Sequence, residues 1–329
     1  FKILILIIAT GTAYSTGIFL RIKNYHKIGG SLIFLGAILY TLSIFLIAQI
    51  FNLPETTQFN AHLLLLAWIG ILVVSYIFDS TSSLILALTQ FLIWISLQFF
   101  SFTENFRGDF AIGILAIIYL AVGVLLYGLT QFHKSNNHEF SGIYRYWTAF
   151  YILLITYILS FQSLLPILWP TDFQINSGML IFLLTISFIS LIVAAIGIIT
   201  SLNKKKLSGK EVISFVLITV LYIILISSAS LVSGAKTGFR GGMDTGLFLM
   251  WIFDNILFII VILAVIGYGV RYKSSNIVNL GIIFFALDIL TRYIGFWLDL
   301  GGQIGFAVMA IIGGIILLIG GWLIEKWRK

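Results

Sequence analysis

"IGGSLIFLGAILYTLSIFLIAQIF", Ile28 to Phe51, runs for 24 residues without a charged side chain. A helix advances about 1.5 Å per residue, so crossing the hydrocarbon of a bilayer takes about 20 largely apolar residues. This stretch has that length and ends against Asn52 and Pro54. Comparable runs recur along the chain. Of its 329 residues, 60% are hydrophobic and only 9% charged, more apolar side chain than a soluble protein of this size can hide beneath a polar surface. The runs are apolar all round and longer than the roughly ten-residue alternating segments of a membrane β-barrel. The sequence therefore describes an all-α fold, a polytopic transmembrane helical bundle with residues 1–329 forming a single integral-membrane domain.

Eleven spans are expected: Lys2–Leu20, Ile28–Phe51, Ala61–Phe78, Leu84–Phe102, Phe110–Gln131, Tyr146–Leu168, Ser177–Thr200, Val212–Val232, Gly246–Val270, Asn276–Leu298 and Gln303–Ile324. The connections orient them. Arg21, Lys23, Lys27, Lys134, Arg145, Lys204, Lys205, Lys206, Lys210, Arg271, Lys273, Lys326, Arg328 and Lys329 all fall on one side, 14 of the 19 lysines and arginines. The other side holds Arg107, Lys236 and Arg240 against six acidic residues, from Glu55 to Asp299. An error of one span would scramble that separation. The positive-inside rule makes the basic side cytoplasmic, which puts Phe1 outside and the C-terminus inside. The expected location is the plasma membrane, the inner membrane of a bacterium. The longest connection, within "QFHKSNNHEFSGIYRYW", is about 15 residues, far short of a domain.

Composition also excludes. There are no cysteines, hence no disulfide framework and no thiolate metal site. The net charge of +7 is accounted for by topology and lipid contact, not by nucleic acid, and "NKKKLSGKE" is its densest part. Phe1–Leu20 lacks a basic start and a small-residue cleavage site, so it reads as a span and not a signal peptide. "SGAKTG" lacks the spacing of a phosphate-binding loop. His133, His138 and Glu139 read as a solvated loop rather than a metal site. No cofactor, metal or catalytic residue is implied. Gly313, Gly314, Gly320 and Gly321 form a small-residue stripe for close helix packing.

Two stretches resemble a known family. "GGSLIFLGAILYTLSIFLIAQIFNLPE", Gly29 to Glu55, is similar to the I-A-Q-I-[YF]-x-L signature of the bacterial predicted membrane proteins grouped as domain of unknown function 2157. "IVNLGIIFFALDILTRYIGFWLDL" resembles that family's second block. The resemblance spans Gly29–Leu88 and Gly246–Lys329. It implies a multi-pass membrane protein with one further span upstream, and it implies no activity. Phe51 and Asn52 stand where Tyr and His are common in the family.

Charges inside the spans are the candidates for function, since burying one costs about 2.5–3.5 kcal/mol on insertion scales. Asp288 and Arg292 lie four apart on one helix face. Asp254 and Asn255 lie at a similar depth in the preceding, antiparallel span, about 10 Å from its outer end, so a contact between Asp254 and Arg292 is expected. Gln49 and Asn52 close the second span on that side, and His62, Gln98 and Gln162 approach the same level. Gln49, Asn52, Asp254, Asn255, Asp288 and Arg292 thus form the expected ligand site, in an outward polar cavity roofed by "GAKTGFRGGMDTG". Arg292 would take an anionic group, and Asp254 or Asp288 a cation or proton. The reading is a transporter-like or solute-binding protein for a small polar or anionic solute. The alternative is a scaffold subunit among other membrane subunits whose cluster only joins helices, and a third reading is an enzyme acting on lipid-linked substrates.

Overall fold

The computed structural model describes residues 2–54, 56–103, 112–169, 177–233 and 244–300, and residues 314, 318 and 322. Ten helices among them are long and apolar enough to cross a membrane. They are α1 (Lys2–Ile22), α2 (His26–Ile50), α3 (Thr57–Ile77), α4 (Thr81–Thr103), α5 (Ile112–Ser135), α6 (Ser141–Leu159), α7 (Ser177–Asn203), α8 (Gly209–Ser228), α9 (Thr245–Arg271) and α10 (Ser275–Leu300). The eleventh expected span, with its glycine stripe, lies outside the described residues except for Gly314, Leu318 and Trp322, which are helical.

The odd-numbered helices end alike. Asn24, Asp79, Asn137, Lys205 and Lys273 have φ of 66°, 44°, 56°, 54° and 51°. Each following N–H reaches back five residues: Tyr25 to the Leu20 carbonyl, Ser80 to Ser75, His138 to His133, Lys206 to Ser201 and Ser274 to Gly269, at 2.9–3.0 Å. This left-handed closure satisfies carbonyls that a helix end otherwise leaves bare, and it reverses the chain within a few residues.

Most expected spans are matched to within about four residues at each end, and the sixth is displaced furthest. The sixth begins five residues early, at Ser141, and stops at Leu159 instead of Leu168. Beyond Ser160 the chain makes turns and a short 3-10 segment, Leu165–Ile167, that contains Pro166. Proline lacks the N–H that would continue a helix. The earlier start shortens the connection after α5 from about 15 residues to the turn at 136–140. The eighth starts at Gly209 because the Ser208 side chain caps it, accepting from the Glu211 N–H at 3.3 Å. It ends in a 3-10 segment, Ala229–Val232.

The helices group into two compact units, Phe1–Phe110 with Gln174–Thr185, and Ala111–Phe173 with Ile186–Lys329. In the first, α1 and α2 touch at Gly17 and Gly29, where a Cβ on Gly29 would lie 2.7 Å from the Gly17 carbonyl oxygen. Ala37, Ile71 and Ala87 form a core between α2, α3 and α4, and Trp68, Phe91 and Trp94 stack beside it at 5.0–6.3 Å. Arg21 donates to the carbonyls of Phe78 and Asp79, joining the closures of α1 and α3.

In the second unit, Thr130 and Thr148 join α5 to α6 at 3.1 Å, and Tyr157 of α6 packs against Phe258 and Phe284 of α9 and α10, each at 5.9 Å. Lys204 and Lys206 donate to the Ser135 carbonyl at 3.2 and 3.0 Å, so the basic connections after α5 and α7 meet, as the alternation of charged loops requires. Phe188, Leu191 and Ile199 of α7 are exposed. Such a hydrocarbon face suits lipid. The chain is a multi-pass membrane protein.

Candidate functional site

The early end of α6 builds the site. A helix that stops here leaves carbonyls without intrahelical donors, and Arg292 of α10 supplies one. Its Nη2 donates to the Ser160 carbonyl at 2.7 Å and to Ser160 Oγ at 2.5 Å. Its Nε donates to Asp288 Oδ1 at 3.1 Å, the pairing expected from the four-residue spacing. The guanidinium carbon lies 5.1 Å from the Phe161 ring centre and 5.9 Å from that of Trp251. A cation at a helix C-terminus also meets the negative end of the helix dipole.

Asp254 of α9 is fully buried, at 0% exposure, and neither carboxylate oxygen has a hydrogen-bond partner among the described residues. The expected Asp254–Arg292 contact is not formed. Arg292 acts on Asp254 electrostatically, while its hydrogen bonds go to Ser160 and Asp288. Equal depth brought the two near each other. The free carbonyl at the end of α6, which a continuous sixth span would not have offered, took the donors.

The other candidates divide. Asn255 bonds within its own helix, donating Nδ2 to the Trp251 carbonyl at 2.6 Å. Gln49 and Asn52 are exposed and belong to the first unit. Asn52, with φ 48°, is the closure residue of α2, and the Leu53 N–H beyond it bonds to the Ala48 carbonyl at 3.0 Å. His62 is exposed, and Gln98 donates to Ser101 Oγ at 3.1 Å. The expected roof, "GAKTGFRGGMDTG", lies outside the described residues save for its last three.

Sequence reasoning missed a half-open cavity of about 380 Å³ among α5, α6, α8 and α9. None of the six candidate residues lines it. Its walls are mostly apolar, with Val124, Ile152, Phe215, Ile218 and Val265 among them. Arg145, Lys210, Glu211 and Arg271 stand at one end, and Thr156 and Tyr222 at the other. Tyr222 is fully buried and lies within electrostatic range of Asp254, with Thr156 beside it. The signal is present in the "Ser-Gly-Lys-Glu" capping sequence, Ser208 to Glu211, and in the basic helix ends.

At the basic end, the Tyr272 hydroxyl accepts from Lys134 Nζ at 2.9 Å and donates to Glu211 Oε2 at 2.7 Å. Burial, with help from the Glu211 hydrogen bond, pushes this hydroxyl up to about 12, so it remains a donor at neutral pH. Lys134 Nζ and the Arg145 guanidinium lie 4.4 and 4.8 Å from its ring centre. Tyr272→Phe keeps the ring over these cations and deletes the hydroxyl. Thermal melting of the purified protein is expected to show a loss of about 1–3 kcal/mol, the cost of leaving partly buried polar groups unpaired. His133 serves packing here: its Nδ1 lies 2.8 Å from the Leu129 carbonyl and its ring stacks on Tyr144 at 4.8 Å.

Outside the second unit, the most distinctive local sequence is the end of α2, "IAQIFNL", with its left-handed Asn52. Residues 1–84 match the family model described as predicted membrane protein (DUF2157). The match to DUF2157 runs from α1 into the first turn of α4 and takes in that motif. The second resembling block, Gly246–Lys329, lies beyond the matched residues. No curated protein and no solved structure matches the chain.

Proposed function

We propose that this multi-pass protein is transporter-like, resides in the plasma membrane, and binds a proton or a small cation at Asp254 beside the Asp288–Arg292 pair. The observation that carries the reading is the fully buried Asp254 carboxyl with neither oxygen hydrogen-bonded among the described residues. A side chain placed only to join helices would be bonded to them, because an unsatisfied buried polar group is costly. Ionisable groups inside a membrane commonly mark ion and proton paths. Arg292 is committed to Ser160 and Asp288, which leaves Asp254 as the group open to a ligand.

One observation favours the scaffold reading for part of the cluster: Arg292 ties the end of α6 to α10. Asp254→Asn separates the two readings. On the transporter-like reading the variant keeps its fold and melts unchanged or about 2–4 °C higher, because a buried charge without a hydrogen bond is gone. The wild-type melting temperature depends on pH or on the choice among Na⁺, K⁺ and choline, and the variant loses that dependence. A variant that melts several degrees lower and keeps the wild-type dependence would leave the scaffold reading standing.

A further inference from the structure

We infer that the cavity bounded by α5, α6, α8 and α9 holds an anionic membrane lipid, one chain lying among its apolar walls and its phosphate against Arg145, Lys210 and Arg271. The site stands apart from Asp254, Asp288 and Arg292, none of which lines it.

Length, wall chemistry and charge lead to the same occupant. From Arg145 to Thr156 along α6, and from Lys210 to Tyr222 along α8, the cavity extends about 16–18 Å at the helical rise. That is close to the roughly 15 Å depth of one hydrocarbon leaflet. A volume of about 380 Å³ is at the lower end of small-molecule sites, which suits a single chain. The serine and threonine hydroxyls along the walls are turned onto their own helices: Ser214 donates to the Lys210 carbonyl at 2.9 Å, Thr219 to Phe215 at 2.9 Å and Thr148 to Tyr144 at 2.7 Å. They offer a polar solute little, and the interior is left to hydrocarbon.

The end of the cavity carries more positive than negative charge, three cations to one carboxylate. Among the described residues Arg145, Lys210 and Arg271 have no ion-pair partner, and the buried Arg145 Nε has no acceptor. Glu211, the acid beside them, already accepts from Tyr272 at 2.7 Å and from Gln131 at 3.4 Å. Three cations around one engaged carboxylate call for an anion, and a phosphate presents several acceptor oxygens to the arginine forks. An anionic phospholipid of the leaflet on the basic side has both parts in the right order, the phosphate at the surface and the chain inward.

The test uses the full chain purified in neutral detergent and phosphatidylglycerol with a fluorophore on one acyl chain. Saturable one-to-one binding is expected, displaced by unlabelled phosphatidylglycerol and at least ten-fold less well by phosphatidylcholine. Glycerol 3-phosphate should not displace it, because it lacks the chain. Arg145→Gln with Arg271→Gln should weaken binding at least ten-fold. Gly123→Leu fills the cavity from a position where a Cβ meets only Ile152 and Tyr151, at 3.6 and 3.9 Å, and should abolish binding without lowering the melting temperature. Ile152→Trp fills it from α6, beside Gly123, and serves if Gly123→Leu does not fold. Equal affinity for phosphatidylcholine, displacement by glycerol 3-phosphate, or wild-type binding by a folded cavity-filled variant would each overturn the assignment.

Discussion

Gly29→Leu is expected to abolish stable folding of the N-terminal unit, whereas Gly30→Leu, one residue on, leaves the protein as stable as the wild type or slightly more so. The two glycines are neighbours in sequence but lie on different faces of α2. A Cβ at Gly29 would lie 2.7 Å from the Gly17 carbonyl oxygen and 2.9 Å from the Arg21 amide nitrogen, while one at Gly30 meets nothing within 4 Å. Overpacking commonly costs about 1–3 kcal/mol and more where nothing can give way. Here the obstacle is backbone, so α1 and α2 must separate. At Gly30 the change relieves the about 0.5–1 kcal/mol that glycine costs a helix. The measurement is the monodisperse fraction after detergent extraction, followed by thermal melting. Loss of protein in both variants would mean that the exposed face of α2 also packs against something.

Arg292→Met is expected to cost up to about 3–5 kcal/mol, the penalty for removing one partner of a buried pair, with Asp288 buried and Arg292 partly exposed. It strips the end of α6 of the donor to Ser160 and leaves Asp288 without its cation close to Asp254. Arg292→Lys should recover only part of the loss, because one ammonium does not reproduce a fork that bonds Ser160 through Nη2 and Asp288 through Nε. Adding Asp288→Leu to Arg292→Met should restore much of the stability by removing the orphaned carboxylate. A double variant no better than Arg292→Met would show that the Ser160 bonds, rather than the charge pair, carry the effect. Thermal melting of the four proteins decides between these outcomes.

How much of this was legible follows from what each signal measures. Hydropathy counts residues, so it located the spans and, through the lysines and arginines, their alternation. It does not see where a helix breaks within an apolar stretch, and for that reason the end of α6 at Ser160 was read through to Leu168. That one misplacement hid the partner of Arg292. The four-residue spacing of Asp288 and Arg292 is a property of a single helix, and the pair forms as expected. The rotation of α9 toward α10 is not written in either helix alone, so depth could bring Asp254 near Arg292 without making a bond. The cavity is side-chain volume missing among four helices, a quantity that no stretch of one helix contains. Its basic residues were visible from the start and were assigned to orientation alone.

The five left-handed closures of the odd-numbered helices bear on how the chain enters the bilayer. Each is made from bonds between residues five apart, so it can form as soon as a few residues have left the ribosome, before any distant helix exists. Closing so short a loop loses little entropy. A chain built this way is suited to insertion in paired strokes, each reversal already bonded as the next helix follows it.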